Sequence, residues 1–294
     1  MNAPVILSEA KDLTAPVMRS FASLRTTGGF MLLSLDGRKI YFDLAGPQNA
    51  PVVCFTHSLN ADGGMWVEQM VPLLGAGYRV LRLDMRGHGG SAPVDGDYTM
   101  DQLAADVKGA LDVLGIKKVH YIGLSIGGMI GQGFALANPG YLASLCLCDT
   151  QPSTPPGSAG TWEERKATVR SKGLAALADG TMQRWFTDEF KKVNPQRWTE
   201  VRDTISGTTP AGSAGCMSAI QNFDYLDRLA TIKAPTLVIC GDLDEGTPPD
   251  RNKLIASKVP GGRYEGIANA RHLPNVERPE QFNRIMMSWL AANR

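Results

Sequence analysis

Ser125 stands in Gly123-Leu124-Ser125-Ile126-Gly127-Gly128, which follows the apolar run Val119-His120-Tyr121-Ile122 and opens into a helix-like segment from Met129 to Ala137. A serine at a strand-to-helix turn, with glycine two residues before and two after, is the nucleophile-elbow pattern. The glycines are a steric need. The turn is tight enough that a Cβ at either position meets backbone, and the serine takes a strained conformation that lifts its hydroxyl out of the sheet. The hexapeptide alone also admits an ordinary turn. A dinucleotide-binding turn fits less well, because the G-x-G-x-x-G spacing is missing and no acidic residue closes a following strand at the expected distance.

A serine hydroxyl is a weak nucleophile until a base takes its proton, and the base needs an orienting carboxylate. The chain has four histidines. Chain order in elbow proteins runs serine, acid, histidine, which selects His272, in Asn269-Ala270-Arg271-His272-Leu273-Pro274, as the base. His57, His88 and His120 all precede Ser125 and read as structural or loop-orienting residues. For the acid, Gly241-Asp242-Leu243-Asp244 follows an apolar run directly, and Asp244 is preferred. Asp242 is the near rival, since the first acid after a glycine more often braces its own turn; Asp149, at the end of the strand after the elbow, is a third candidate. The N–H of Ile126 and that of Leu59, in the turn His57-Ser58-Leu59-Asn60, are the expected oxyanion donors.

These residues need a scaffold of strands that end together. Met31–Leu35 and Lys39–Leu44 flank Asp36-Gly37, a hairpin signal. After them, continuous apolar strands alternate with helix-period segments, the mark of a mostly parallel sheet covered on both faces. The predicted strands are Val52–Thr56, Arg79–Leu83, Val119–Leu124, Leu142–Cys148 and Thr236–Cys240. Thr99-Met100-Asp101-Gln102 reads as a capping box for a helix that stops at Gly115, and a last helix starts at Pro279. The alternation fails over 151–230. There a linker-like run, Gln151–Ser158, precedes helical patterns beginning with a second capping box at Thr161-Trp162-Glu163-Glu164, so an inserted helical cap is expected. The expected organisation is an extension over 1–28, poorly ordered, a core of 29–150 and 231–294, and the cap of 151–230.

With 294 residues the chain can bury one large α/β core. Its 30 basic and 29 acidic residues give no bulk electrostatic case for nucleic acid or an anionic membrane. A small-molecule partner fits better. Five cysteines, with no CxxC and no tight Cys/His spacing, argue against a disulfide framework and a zinc site, and point to a reducing compartment, the cytoplasm by default. No cofactor or metal is expected. Neither a membrane-length apolar run nor a secretory signal pattern is evident.

Phe55-Thr56-His57-Ser58-Leu59, Asp84-Met85-Arg86-Gly87-His88-Gly89, the elbow, Gly241-Asp242-Leu243-Asp244 and His272-Leu273-Pro274-Asn275-Val276-Glu277 together resemble the α/β-hydrolase superfamily from Phe30 to Arg294. Within it the chain is similar to the 3-oxoadipate enol-lactonases. The similarity extends through Met65-Trp66, Gly173–Asp179 and Arg184-Trp185-Phe186-Thr187. The resemblance implies that Ser125 attacks a lactone carbonyl, that His272 accepts its proton and that Asp244 holds the imidazole. It also implies a carboxylated substrate, with Arg165, Arg170 and Arg184 as candidate anchors and Ser58, Trp162 and Trp185 as candidate pocket residues. Carboxylesterases, other lactonases and C–C bond hydrolases share the elbow and acid loop, and a non-catalytic ligand-binding homologue is the alternative of another class. The sequence is silent on oligomeric state.

Overall fold

The computed structural model of the protein describes residues 25–27 and 30–294. Its sheet opens with β1 (Arg25–Thr27), β2 (Phe30–Leu35) and β3 (Arg38–Ala45), paired antiparallel in that order. Asp36 and Gly37 join β2 to β3 with φ of 49° and 82°, the left-handed pair that a two-residue hairpin turn requires. Arg25–Thr27 fall inside the segment expected to lack order, and they pair with β2; the remainder of that expectation lies outside the described residues.

Beyond the hairpin come β4 (Val52–Thr56), α1 (Val67–Gly75), β5 (Arg79–Leu83), α2 (Met100–Val113), β6 (Val119–Leu124), α3 (Ile126–Ala137) and β7 (Leu142–Cys148). Five helices follow without an intervening strand: α4 (Ala159–Lys172), α5 (Ala175–Trp185), α6 (Asp188–Val193), α7 (Pro195–Gly207) and α8 (Pro210–Gln221). The chain then returns to the sheet through β8 (Thr236–Gly241), α9 (Pro249–Lys258), β9 (Arg263–Ile267), α10 (Pro274–Glu277) and α11 (Pro279–Ala292). Sheet order is β1-β2-β3-β5-β4-β6-β7-β8-β9, parallel from β5 to β9.

Strands β4, β6 and β8 are buried at every position, which is why they read as unbroken apolar runs. Alternate residues feed opposite faces. Cys54, Tyr121 and Val238 pack beneath α2, α3 and α9, whereas Phe55, Ile122 and Ile239 pack with residues of α1 and α11. The Thr99 capping box is present in full, Gln102 N–H donating to Thr99 Oγ1 at 3.2 Å and Thr99 N–H to Gln102 Oε1 at 3.0 Å.

Two local expectations need correction. α4 begins at Ala159 rather than at the Thr161 box, with Ser158 before it; the Ser158 hydroxyl donates to Pro155 O at 2.7 Å, closing the preceding turn instead of capping the helix. The run from Gln151 is not a free linker throughout, because Gln151, Pro152 and Ser153 are buried and Ser153 bridges to Asp224. β9 was not among the predicted strands. It is the sheet edge, with Arg263 and Gly266 exposed, and lacks the apolar run that marks an interior strand. Among the described residues no helix is long and apolar enough to cross a membrane.

Candidate active site

Parallel strands end on one side of a sheet, so the turns after β4, β6, β7, β8 and β9 gather there. β6 ends at Leu124, and Ser125 takes φ 59° and ψ −120° before α3 begins. A non-glycine residue at positive φ is strained, and here several bonds hold it. The Ser125 N–H donates to Cys148 O at 2.9 Å, while its carbonyl accepts Met129 N–H at 3.1 Å and Thr150 Oγ1 at 2.8 Å. A Cβ on Gly127 would lie 2.5 Å from Thr56 O, and one on Gly123 would collide with the Gly127 carbonyl, so both elbow glycines are sterically required. The Ser125 hydroxyl makes no hydrogen bond among the described residues.

Asp244 and His272 lie on the loops after β8 and β9, and His272 Nδ1 is 2.8 Å from Asp244 Oδ2. A carboxylate accepts, so Nδ1 carries the proton and Nε2 keeps its lone pair, the form a general base needs. Asp244 is fixed by more than His272. Its Oδ1 accepts Gly246 N–H at 2.8 Å and Thr247 N–H at 3.2 Å, and its Oδ2 accepts the Thr247 hydroxyl at 2.6 Å. Burial opposes the charge on Asp244, but His272 and the two Thr247 donors outweigh it and bring the carboxyl down to about 2.

That shift has a consequence for stability. A carboxyl that binds its proton less readily in the folded state stabilises the fold above the unfolded value, by about 2 kcal/mol here, and loses that contribution as pH falls from about 4 to about 2. The gap in urea midpoint between the wild type and Asp244→Asn is therefore expected to narrow over that interval; a gap independent of pH would contradict it.

On the other side of Ser125, the turn after β4 runs through His57, Ser58 and Leu59. His57 Nε2 accepts the Met85 N–H at 2.9 Å, so its Nδ1 donates to Ser58 O at 2.8 Å; this histidine orients two loops. The Ser58 N–H points at Met65 Sδ, 3.3 Å away, and its hydroxyl makes no hydrogen bond among the described residues. Asn60 closes the turn at φ 65°, with Oδ1 accepting the Ser213 hydroxyl of α8 at 2.7 Å. Neither the Leu59 nor the Ile126 N–H is spent on a backbone acceptor. Both are available as donors to a developing oxyanion.

Asp242 is exposed and makes no bond to His272, so of the three candidate acids it is Asp244 that the structure pairs with His272; Asp149 is buried and bonds the Gly241 N–H instead. His88 and His120 are buried away from it, His88 donating to Arg86 O and His120 meeting Ser144 Oγ at 2.9 Å, and burial pushes the His88 imidazole down to about 3. Trp185 stacks on His272, ring centres 6.5 Å apart. Trp162 carries the Arg165 guanidinium over its ring at 5.1 Å, and Arg184 donates to Thr181 Oγ1 at 3.2 Å. Arg170 pairs with Asp97, whereas Arg165 and Arg184 form no ion pair with any carboxylate among the described residues. Arg165 is half-buried and Arg184 exposed; desolvation acts against the charge of both, and Arg165 acts further against that of Arg184.

Three supporting residues had no role assigned to them from the sequence. Thr247 could have been found as a hydroxyl three residues after an acidic turn residue. Thr150, which holds the Ser125 carbonyl, had no signal. Glu277 is buried, its Oε1 accepting the Thr187 N–H at 2.8 Å and its Oε2 the Arg271 N–H at 2.7 Å, so it ties the His272 loop to the end of α5. Leu273 N–H to Trp185 O, at 3.3 Å, adds a second tie.

A family model described as the alpha/beta hydrolase fold matches residues 51–279. The chain belongs to the α/β-hydrolase family and is a hydrolase. It is similar to 3-oxoadipate enol-lactonase 1 of Acinetobacter baylyi, 31% identical over 260 residues that cover 88% of this chain and 96% of that protein. The crystal structure of the enol-lactonase from Burkholderia xenovorans LB400 superposes with a TM-score of 0.83 at 32% identity, covering 88% of this chain and 99% of that one. The putative carbamate hydrolase RutD of Variovorax paradoxus is 27% identical over 86% of this chain and 96% of its own.

Proposed function

We propose that the protein is a serine hydrolase that opens a small carboxylated lactone, 3-oxoadipate enol-lactone to 3-oxoadipate, through an acyl-enzyme. The observation that carries the catalytic part is the His272–Asp244 bond, which leaves Nε2 as the basic nitrogen on the side of the sheet where Ser125 is raised. In this reading Ser125 Oγ adds to the lactone carbonyl as its proton passes to His272 Nε2, and the oxyanion is met by the Leu59 and Ile126 N–H groups. Collapse breaks the C–O bond of the ring. The leaving oxygen is an enol, a better leaving group than an alkoxide, and it takes the proton from His272 and then ketonises. Water, deprotonated by the same nitrogen, adds to the acyl-enzyme and releases the acid and Ser125.

For the substrate, the support is the pair Arg165 and Arg184. Two neighbouring guanidinium groups without counter-charge favour an anionic ligand, and helices α4 and α5 that carry them belong to the proposed cap of 151–230. Trp162, beside Arg165, and Trp185, beside His272, are the aromatic residues proposed to flank the ligand. The similarity to enol-lactonases points the same way, and the carbamate-hydrolase relative marks the competing reading, a neutral ester or carbamate. A substrate panel tests it. The wild type is expected to open the enol-lactone with a kcat/KM far above that for neutral p-nitrophenyl esters. The double variant R165M/R184M is expected to lose about 100-fold in kcat/KM on the lactone, mostly through KM, with neutral esters little changed. Comparable losses on both classes would overturn the carboxylate assignment.

A further inference from the structure

Asp149 directly follows β7, has φ 42° and is fully buried. Its Oδ1 accepts the Gly241 N–H at 2.9 Å, where β8 stops and the loop to Asp244 starts. Its Oδ2 is buried with no donor directed at it. A carboxylate oxygen of Asp149, Cys240 Sγ and a carboxylate oxygen of Asp244 lie within 4.8 Å of one another. The trio is a poor metal cage, because each Asp244 oxygen already accepts two hydrogen bonds and has no lone pair to spare.

Two carboxylates this close, one carrying an oxygen that nothing donates to, oppose each other's ionisation. We propose that Asp149 is a positioning residue that works as an uncharged carboxylic acid: through Gly241 it fixes where the Asp244 loop leaves the sheet, and by staying neutral it keeps a second negative charge away from the Asp244–His272 pair. Burial first, and the Asp244 charge second, raise its carboxyl well above the usual range. The titratable groups that face it are Asp244 and Cys240 from the β8 side, Cys148 on β7 and Tyr264 on β9, none of them cationic. The backbone conformation agrees with a short polar side chain, since aspartate and asparagine tolerate positive φ better than other non-glycine residues.

The inference rests on reading Asp244 and His272 as acid and base, so its test includes a measurement that needs no turnover. In Asp149→Asn, which keeps shape, neutrality and a carbonyl for Gly241, the pH titration of the His272 imidazole followed by NMR is expected to superpose on the wild type, with kcat within about threefold. An ionised Asp149 would instead show itself as a shift of that curve to lower pH by about one unit in the variant, and would overturn the proposal. Asp149→Gly keeps the positive φ and deletes the carboxyl; kcat is expected to fall about tenfold or more with KM unchanged. Wild-type kcat in a folded Asp149→Gly protein would equally overturn it. Loss of the hydrolase reading itself would appear elsewhere, as turnover that survives replacement of Ser125.

Discussion

Ser125→Ala is expected to lower kcat by about 10⁴-fold or more with KM close to the wild-type value, and to abolish labelling by a fluorophosphonate probe. The size follows from the absence of a substitute at the elbow. Ser125 alone stands at the raised turn, flanked by Gly123 and Gly127, whose missing side chains allow Thr56 and the Gly127 carbonyl to approach. Under the proposed mechanism the Leu59 and Ile126 N–H groups would still polarise a carbonyl without the hydroxyl and His272 would still offer a base to water, so a residual rate above the uncatalysed one is expected. The binding proposed for Arg165 and Arg184 is untouched by the substitution, which is why KM is expected to stay close to the wild-type value. His272→Ala should lose as much, and the double variant little more, because the two act on one proton. Near-wild-type turnover in Ser125→Ala would refute the mechanism.

Asp244→Asn is expected to cost about 10⁴-fold in kcat while the protein stays folded. The Gly246 and Thr247 N–H groups both donate to Oδ1, so the amide oxygen of asparagine must take that place. Its NH₂ then replaces Oδ2 opposite His272 Nδ1, where a donor faces a nitrogen that has to become an acceptor. The proton moves to Nε2, and the base is lost by tautomer rather than by displacement. The Thr247 hydroxyl can turn to accept from the new NH₂, which spares the fold. Fluorophosphonate labelling should slow in parallel with kcat; activity within tenfold of the wild type would mean that another carboxylate orients His272.

The raised turn at Ser125 and the pairing of His272 with Asp244 were legible because each depends on local sequence or chain order. Gly123 and Gly127 announce a close backbone approach, and His272 alone follows Ser125. The interior strands were equally plain, since burial on both faces leaves unbroken apolar runs. β9 was not, because an edge strand is half solvated and keeps charged residues such as Arg263 and Glu265. Glu277 and Thr150 escaped for a different reason: their partners, Arg271 with Thr187 and the Ser125 carbonyl, are backbone groups or distant in the chain, and no spacing rule records them. Asp149 was noticed as a competing acid. Its contact with Gly241 rather than His272 required the pairing of β7 with β8.

Glu277, with Leu273 and Trp185, joins the His272 loop to the end of α5 and the start of α6 at two hydrogen-bonded points and one stacked ring. The two layers thus share a mechanical part. A sequence change that shifts the end of α5 also shifts the ring that stacks on the His272 imidazole. If the proposed cap selects the substrate, selectivity and turnover are not independent from that side, and divergence is freer through α4 and Trp162, for which no bond to the His272 loop is found among the described residues.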